Sequence, residues 1–276
     1  MNQLSAHDLT GVHMKRTILL CLTTAAVALT SATTANASTA GDHAMGSQIA
    51  KHEGRQTTNG AVRAAGETVP GMDVSSFQGN VDWQAAYNAG ARFAIIKATE
   101  STGYTNPYFT QQYNGSYNAG MIRGAYHFAL PSESSGATQA NYFLANGGGW
   151  SADGKTLPGA VDMEYNPYGP TCYGLSQASM AAWIRDFSDT YYARTSKRPV
   201  IYTSTTWWSQ CVGTQGAFAD TNALWIANYA STPGPLPYNW TYYTFWQHAD
   251  GGRFPGDQDL FNGPYSQLQA FARNHD

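Results

Sequence analysis

The sequence predicts an α/β fold, a single irregular (β/α) TIM-like barrel with fewer helices than strands. Three observations predict it. From residue 69 onward, short apolar runs alternate with amphipathic stretches, the pattern of a parallel sheet covered by helices. Each run turns polar at its C-terminal end: Asp73, Lys97, His127, Asp162 with Glu164, Tyr202 with Ser204, Asn228, and Gln247 with His248. Barrel active sites form at that end of the strands, so these residues predict one convergent pocket. The later runs follow one another with little helical sequence between them, which makes the barrel irregular.

In chain order, residues 71–75 read as the first strand. A short helix follows over 81–89, with Trp83, Ala86 and Tyr87 on one face. Residues 93–98 are a buried strand, and 108–118 a helix stopped at Gly120. Residues 123–128 are a strand, and 138–144 a helix that ends at Gly147, Gly148 and Gly149. The run 159–163 is too short for a helix and reads as a strand. The longest helix spans 176–194, with Met180, Trp183, Ile184 and Phe187 at helical spacing. Residues 199–202, 224–227 and 243–247 are the later strands.

Ahead of the barrel, Met14, Lys15 and Arg16 precede an apolar stretch over 18–29, and Ala35-Asn36-Ala37 follows. A basic end, a short apolar centre and small residues at the cut make a secretory signal peptide over 1–37, with Met14 the better start. The apolar centre is short for a transmembrane helix. Residues 38–68 are rich in Ala, Gly, Ser, Thr and Gln and read as a disordered leader or pro-segment. The barrel domain, expected to carry the site, then runs over 69–276. The protein is expected to be secreted and extracellular.

The formal charge is −3 at pH 7, which gives no electrostatic case for nucleic acid, nor for a membrane once the signal is cut. Charged residues are 12% and aromatic residues 13%, a composition suited to stacking rings on an uncharged glycan, though a large aromatic core gives the same numbers. Of three cysteines, Cys21 leaves with the signal. Cys172 and Cys211 remain in an oxidising compartment and are expected to form a disulfide. Its loop of about 40 residues is worth roughly 3–4 kcal/mol in the chain-entropy model. No His or Cys sits at zinc-ligand spacing beside either one, and neither metal nor cofactor is expected. A monomer is expected.

The richest tripeptide is Asp162-Met163-Glu164. Residues two apart on a strand share a face, so the two acids sit with Cα atoms roughly 6–7 Å apart. Glycosidic bond cleavage asks for one protonated carboxyl and one ionised carboxylate, and crowding two acids separates their pKa values. The spacing alone fits a surface acid pair after a strand equally well. No Gly-x-Ser-x-Gly or His-Glu-x-x-His occurs in the sequence.

Several stretches together resemble the family-25 glycoside hydrolases, the Chalaropsis-type lysozymes. They are Gly71-Met72-Asp73-Val74-Ser75-Ser76-Phe77-Gln78-Gly79 with Val81-Asp82-Trp83, then Phe-Ala-Ile-Ile-Lys-Ala-Thr-Glu at 93–100, and Asn106-Pro107-Tyr108-Phe109. Gly120-Met121-Ile122-Arg123-Gly124-Ala125-Tyr126-His127-Phe128 and Asp162-Met163-Glu164 follow. Residues 199–203, Leu224-Trp225-Ile226-Ala227-Asn228-Tyr229, Phe245-Trp246-Gln247 and Asp259-Leu260-Phe261-Asn262 complete the series. The resemblance implies an irregular barrel with a long acidic groove. It implies an N-acetylmuramidase cutting the β-1,4 bond from N-acetylmuramic acid to N-acetylglucosamine in peptidoglycan strands.

On that resemblance Glu164 is the general acid and Asp162 its ionised partner. Asp73 and Asp259 match the family's acids on the first and last strands. Asp73 also fits a cap for Ser75, and Asp259 a turn residue beside Asp257. Asp257, Asp250 and Asp220 are read as solvated loop residues. Tyr126, Tyr165 and Trp246 are candidate sugar-subsite residues, with a core role the alternative for each. Lys97 is placed to pair with an acid at the barrel mouth, and His127 reads as a satisfied barrel histidine. A chitinase-like or endo-N-acetylglucosaminidase barrel is the alternative enzyme, but Gly159, Ala160 and Val161 do not supply its longer run of acids. A non-catalytic glycan-binding barrel is the alternative outside catalysis; against it, Asp162 and Glu164 are both present.

Overall fold

The computed structural model describes residues 41–54 and 66–274. The expected signal peptide over 1–37 lies outside the described residues. The described chain starts with α1 (Ser47–Glu53), followed by β1 (Thr68–Val74), α2 (Trp83–Asn88), β2 (Phe93–Glu100), β3 (Tyr104–Thr105), α3 (Phe109–Asn118) and β4 (Ile122–Phe128). Then come α4 (Gly136–Ala145), β5 (Ala160–Asp162), α5 (Gln177–Thr195), β6 (Val200–Thr203), α6 (Thr205–Cys211), β7 (Leu224–Ala227), β8 (Phe245–Ala249), β9 (Asp257–Asn262) and α7 (Tyr265–Arg273).

β2, β5, β6 and β7 are buried along their whole length, because helices cover the outside and side chains fill the inside. The sheet runs β1-β9-β8-β7-β6-β5-β4-β2-β3 and closes through β1 on β2. Eight strands form the barrel, and β3 is a hairpin arm on β2. All barrel pairings are parallel except those of β9, which runs antiparallel between β8 and β1. Among the described residues no helix separates β7 from β8 or β8 from β9, so the expected irregularity sits there.

An aromatic floor fills the barrel below its mouth. Phe245 meets Phe93 at 5.3 Å and Phe261 at 5.4 Å between ring centroids, and Trp225 at 6.0 Å. Gly71 makes room for it: a Cβ there would lie 2.4 Å from the Phe93 ring. Ser135, Ser176 and Ser204 cap α4, α5 and α6 through their hydroxyls, so these helices start at fixed points of the loops that follow β4, β5 and β6. Cys172 and Cys211 are bonded, with Cα atoms 5.2 Å apart, tying the loop after β5 to the end of α6. No helix among the described residues is long and apolar enough to cross a membrane.

One expectation changes. Residues 41–54 fall in the stretch read as a disordered leader, yet they lie across the barrel mouth, with α1 at their centre. Average composition hides two anchors: Met45 and Ile49 are each 1% exposed and belong to the barrel's own core cluster.

Candidate active site

β5 carries the acid pair to the mouth. Its register with β4 sets Asp162 beside Phe128, and its register with β6 sets Asp162 beside Tyr202. Alternation turns Val161 and Met163 to one side and Asp162 and Glu164 to the other. Both acids are fully buried. Burial first, and the neighbouring Glu164 charge second, raise the Asp162 pKa well above its ordinary value, against the pull of Lys97. Burial raises Glu164 to about 8, although three backbone N–H groups pull it down. Neither Asp162 oxygen has a hydrogen-bond partner among the described residues.

The second group of acids comes from β1 and β9. Their antiparallel register sets Asp73 opposite Asp257 and Gly71 opposite Asp259. Gln247 on β8 joins the group. Its Nε2 donates to Asp73 Oδ2 at 2.7 Å and to Asp257 Oδ2 at 3.1 Å. Its Oε1 accepts from the Tyr202 hydroxyl at 2.5 Å and lies 2.8 Å from the Tyr229 hydroxyl. Asp259 lies toward the floor, where Trp225 Nε1 donates to its Oδ1 at 3.0 Å. Burial, then the Asp259 charge, raise Asp73; burial, then the Asp257 charge, raise Asp259. Asp73 is therefore an interior acid bound to Gln247, and Asp259 a strand residue rather than a turn residue. Asp257 is not a solvated loop residue but a strand partner of Asp73.

Lys97, Tyr126 and Tyr165 also reach the mouth, and there the 41–54 segment meets them. Lys97 Nζ donates to Glu100 Oε2 at 2.6 Å, Asp42 Oδ1 at 2.9 Å and the His43 carbonyl at 2.6 Å. The Tyr126 hydroxyl accepts from Met45 N at 3.0 Å. The Tyr165 hydroxyl donates to Glu53 at 3.0 Å, and its ring stacks on His52 with centroids 4.3 Å apart. Trp246 falls on the opposite face of β8 from Gln247. Its indole donates to the Asn228 carbonyl at 2.9 Å and packs against Tyr243 and His248, so the structure does not bring it to the acids. His127 bonds Thr99 and Gln139, and burial lowers its pKa to about 4, which keeps it neutral.

Glu100 escapes a reading by strict alternation. The β2–β4 register slips between Lys97 and Thr99, so Lys97 and Glu100, three apart, reach the same side. Burial pushes Glu100 up, but His43 and Lys97 outweigh it and hold its pKa below the ordinary value. Gln247 was visible only as a polar strand end. Its role as the hub of four side chains depends on β9, whose antiparallel insertion has no clear periodic signal. Among the described residues no cluster of His, Cys, Asp and Glu is placed to hold a metal ion.

The sequence model of Glycosyl hydrolases family 25 matches residues 72–257. An N,O-diacetylmuramidase from Chalaropsis is 53% identical over 209 residues, covering 74% of this chain and 99% of the relative. The muramidase structure from Acremonium alcalophilum superposes with a TM-score of 0.72 at 55% identity, covering 74% of this chain and 99% of that one. A bacterial lysozyme structure from Streptomyces coelicolor superposes with a TM-score of 0.72 at 47% identity, covering 75% and 97%. A barrel of eight strands with acids at the strand ends, matched by the family model over most of its length, places the chain in glycosyl hydrolase family 25.

Proposed function

We propose that this chain is a secreted muramidase that hydrolyses the β-1,4 bond between N-acetylmuramic acid and N-acetylglucosamine in peptidoglycan, with Glu164 as the general acid. The observation that carries the reading is the Asp162–Glu164 pair on one interior face at the mouth end of β5. Burial suits Glu164 to a proton donor, because it raises the pKa above the ordinary glutamate value. The named muramidases and lysozyme, similar over nearly their whole length, support the substrate. The signal-like N-terminus supports export, with the mature enzyme acting alone as a monomer outside the cell.

In this mechanism Glu164 gives its proton to the glycosidic oxygen. The C1–O bond breaks with its electron pair going to that oxygen, and positive charge develops on the sugar ring. Asp162 is the nearest carboxyl group. Its two oxygens have no partner among the described residues, so they are open to the N–H of the substrate's 2-acetamido group. That bond would turn the acetamido carbonyl oxygen toward C1, making the sugar its own nucleophile before water completes hydrolysis. Asp73 and Asp259, held by Gln247 and Trp225, place two further carboxyl groups beneath the ring. Tyr126, Tyr165 and Lys97 contact the flanking sugars.

The test is digestion of purified, borohydride-reduced peptidoglycan, with mass spectrometry of the new ends. New reducing muramic acid is expected. New reducing glucosamine would replace the assignment with a glucosaminidase, and intact strands would reject hydrolysis of this polymer.

A further inference from the structure

The residues that the mechanism needs are not open to a polymer. Glu164 and Asp162 are 0% exposed and Asp73 is 2%. What covers the mouth is the chain itself. Residues 41–54 contact, one after another, side chains assigned above to acid, subsite and charge roles. Asp42 and His43 take Lys97 and Glu100. Met45 takes Tyr126, and Gly46, Gln48 and Ile49 take Glu164. His52 and Glu53 take Tyr165, and Glu53 also accepts from Ser204.

The local chemistry explains the fit. α1 begins at Gly46, which has no side chain to cap it, and no side-chain cap bond is present within the helix. The first amides of a helix need acceptors. Glu164 supplies them: its Oε1 accepts from Gly46 N, and its Oε2 from Gln48 N and Ile49 N, each at 2.9 Å. The catalytic carboxyl thus does the work of an N-cap residue. Gly46 is held at φ +75°, and a Cβ there would lie 2.0 Å from the Tyr229 hydroxyl and 2.6 Å from Gln247 Oε1 and the Tyr202 hydroxyl. The backbone approaches the site closely because Gly46 has no side chain.

The polarity of these bonds is opposite to catalysis. A general acid donates to the glycosidic oxygen, whereas here Glu164 accepts three N–H bonds, which favour its ionised form. We infer that residues 41–54 are a built-in inhibitor of the cleft, seated on the catalytic glutamate through the first amides of α1, and that the chain is latent until this segment leaves. The inference rests on the assignment of Glu164 as the acid. Tied to β1 through residues 55–65, the segment acts at an effective concentration on the order of millimolar. A cut in that connection turns the contact into a bimolecular one and releases the cleft. Arg55 and Arg63 lie in that stretch. The Chalaropsis relative, matched in full by 209 residues, is about as long as the barrel alone.

The experiment compares residues 38–276 with the same chain carrying Gly46→Val, and with Lys51→Ala on the exposed face of α1 as a control. Two readouts are taken: hydrolysis of soluble glycan strands, and amide hydrogen exchange at residues 45–49. A competing segment lowers the open fraction and so raises KM without changing kcat. The expected result is protected amides and a KM at least about tenfold higher in the unmodified chain and in Lys51→Ala, with a shared kcat. Gly46→Val should lose the protection and the KM penalty together. Equal KM in all three, or unprotected amides in the unmodified chain, overturns the inference. Protected amides lost in Gly46→Val, with no hydrolysis by any form, uphold the docked segment and reject the muramidase assignment instead.

Discussion

On the β8–β9–β1 side of the barrel the acids are held by the barrel's own side chains, whereas on the β5 side they are completed from outside it. Gln247 has both amide protons and its carbonyl oxygen engaged, by Asp73, Asp257, Tyr202 and Tyr229. Asp162 has no partner among the described residues, and Glu164 takes its donors from residues 46–49. Acids of the first kind are positioned by the fold. Those of the second kind are left with unused acceptor capacity, which a substrate or a segment of chain then takes up. A reacting carboxyl that must exchange its proton cannot be fully satisfied in advance by the protein.

Removing the acid on the β5 side should give the largest effect. Glu164→Gln keeps the volume but has no proton to give, and activity should fall by about 10³-fold or more. The same change replaces one carboxyl oxygen by an NH2 that cannot accept, beneath three N–H groups. Amide exchange at residues 46–49 should therefore quicken while the barrel's melting temperature holds. Turnover within tenfold of wild type would remove Glu164 from its role.

Next comes the pH profile. Glu164 must be protonated to act, and burial carries its pKa above the ordinary glutamate value, to about 8 with the segment seated. Activity of the Gly46→Val form should fall about tenfold per unit on the alkaline side as the acid deprotonates. Glu164→Gln should show residual activity without that limb. A wild-type-like limb in the variant would assign it to another group.

The β1 side should respond in stability as much as in rate. The folded Asp73 pKa is raised above its unfolded value, by burial and by Asp259. A raised acid contributes stability that is fully present below the unfolded pKa and is lost as pH rises through the folded pKa. At pH 8, far above the unfolded pKa, keeping this acid buried is a net cost. Asp73→Asn keeps an acceptor for Gln247 and should raise stability at pH 8 by about 1–3 kcal/mol while lowering activity. The gain should vanish near pH 3. Denaturant melts at both pH values decide it, and a loss of stability at pH 8 would mean that Asp73 is held mainly by its partners.

Much of this arrangement was legible because parallel strands buried on both faces leave a clear apolar run with a polar end. Asp162 and Glu164 follow from alternation, and the Cys172–Cys211 bond from an even pair. Three things were not legible. The slip between Lys97 and Thr99 changes which residues face inward, so strict alternation does not mark Glu100. β9 enters antiparallel, so Asp257 read as loop although it lies opposite Asp73. Residues 41–54 have too few apolar residues to predict order. Their structure comes from acceptors and pockets that only the folded barrel supplies, Glu164 above all.

The smallest expected effect tests the face assignment on β8. The motif Phe245-Trp246-Gln247 made Trp246 look like a sugar platform, but a strand delivers alternate residues to opposite sides, and Gln247 is the one inside. Trp246 is buried, with its indole N–H on the Asn228 carbonyl and its ring against Tyr243 and His248. Trp246→Phe keeps an aromatic ring and loses one hydrogen bond, so stability should fall by about 1 kcal/mol. KM for glycan strands should stay within about twofold, since the ring packs away from the acids. Tyr165→Phe, which keeps the ring that meets His52 but drops the donor to Glu53, is the matched change on the β5 side. It should loosen the segment and lower KM in the unmodified chain while Trp246→Phe does not. The reverse order of effects would put the platform on Trp246 and return the outer face of β8 to the cleft.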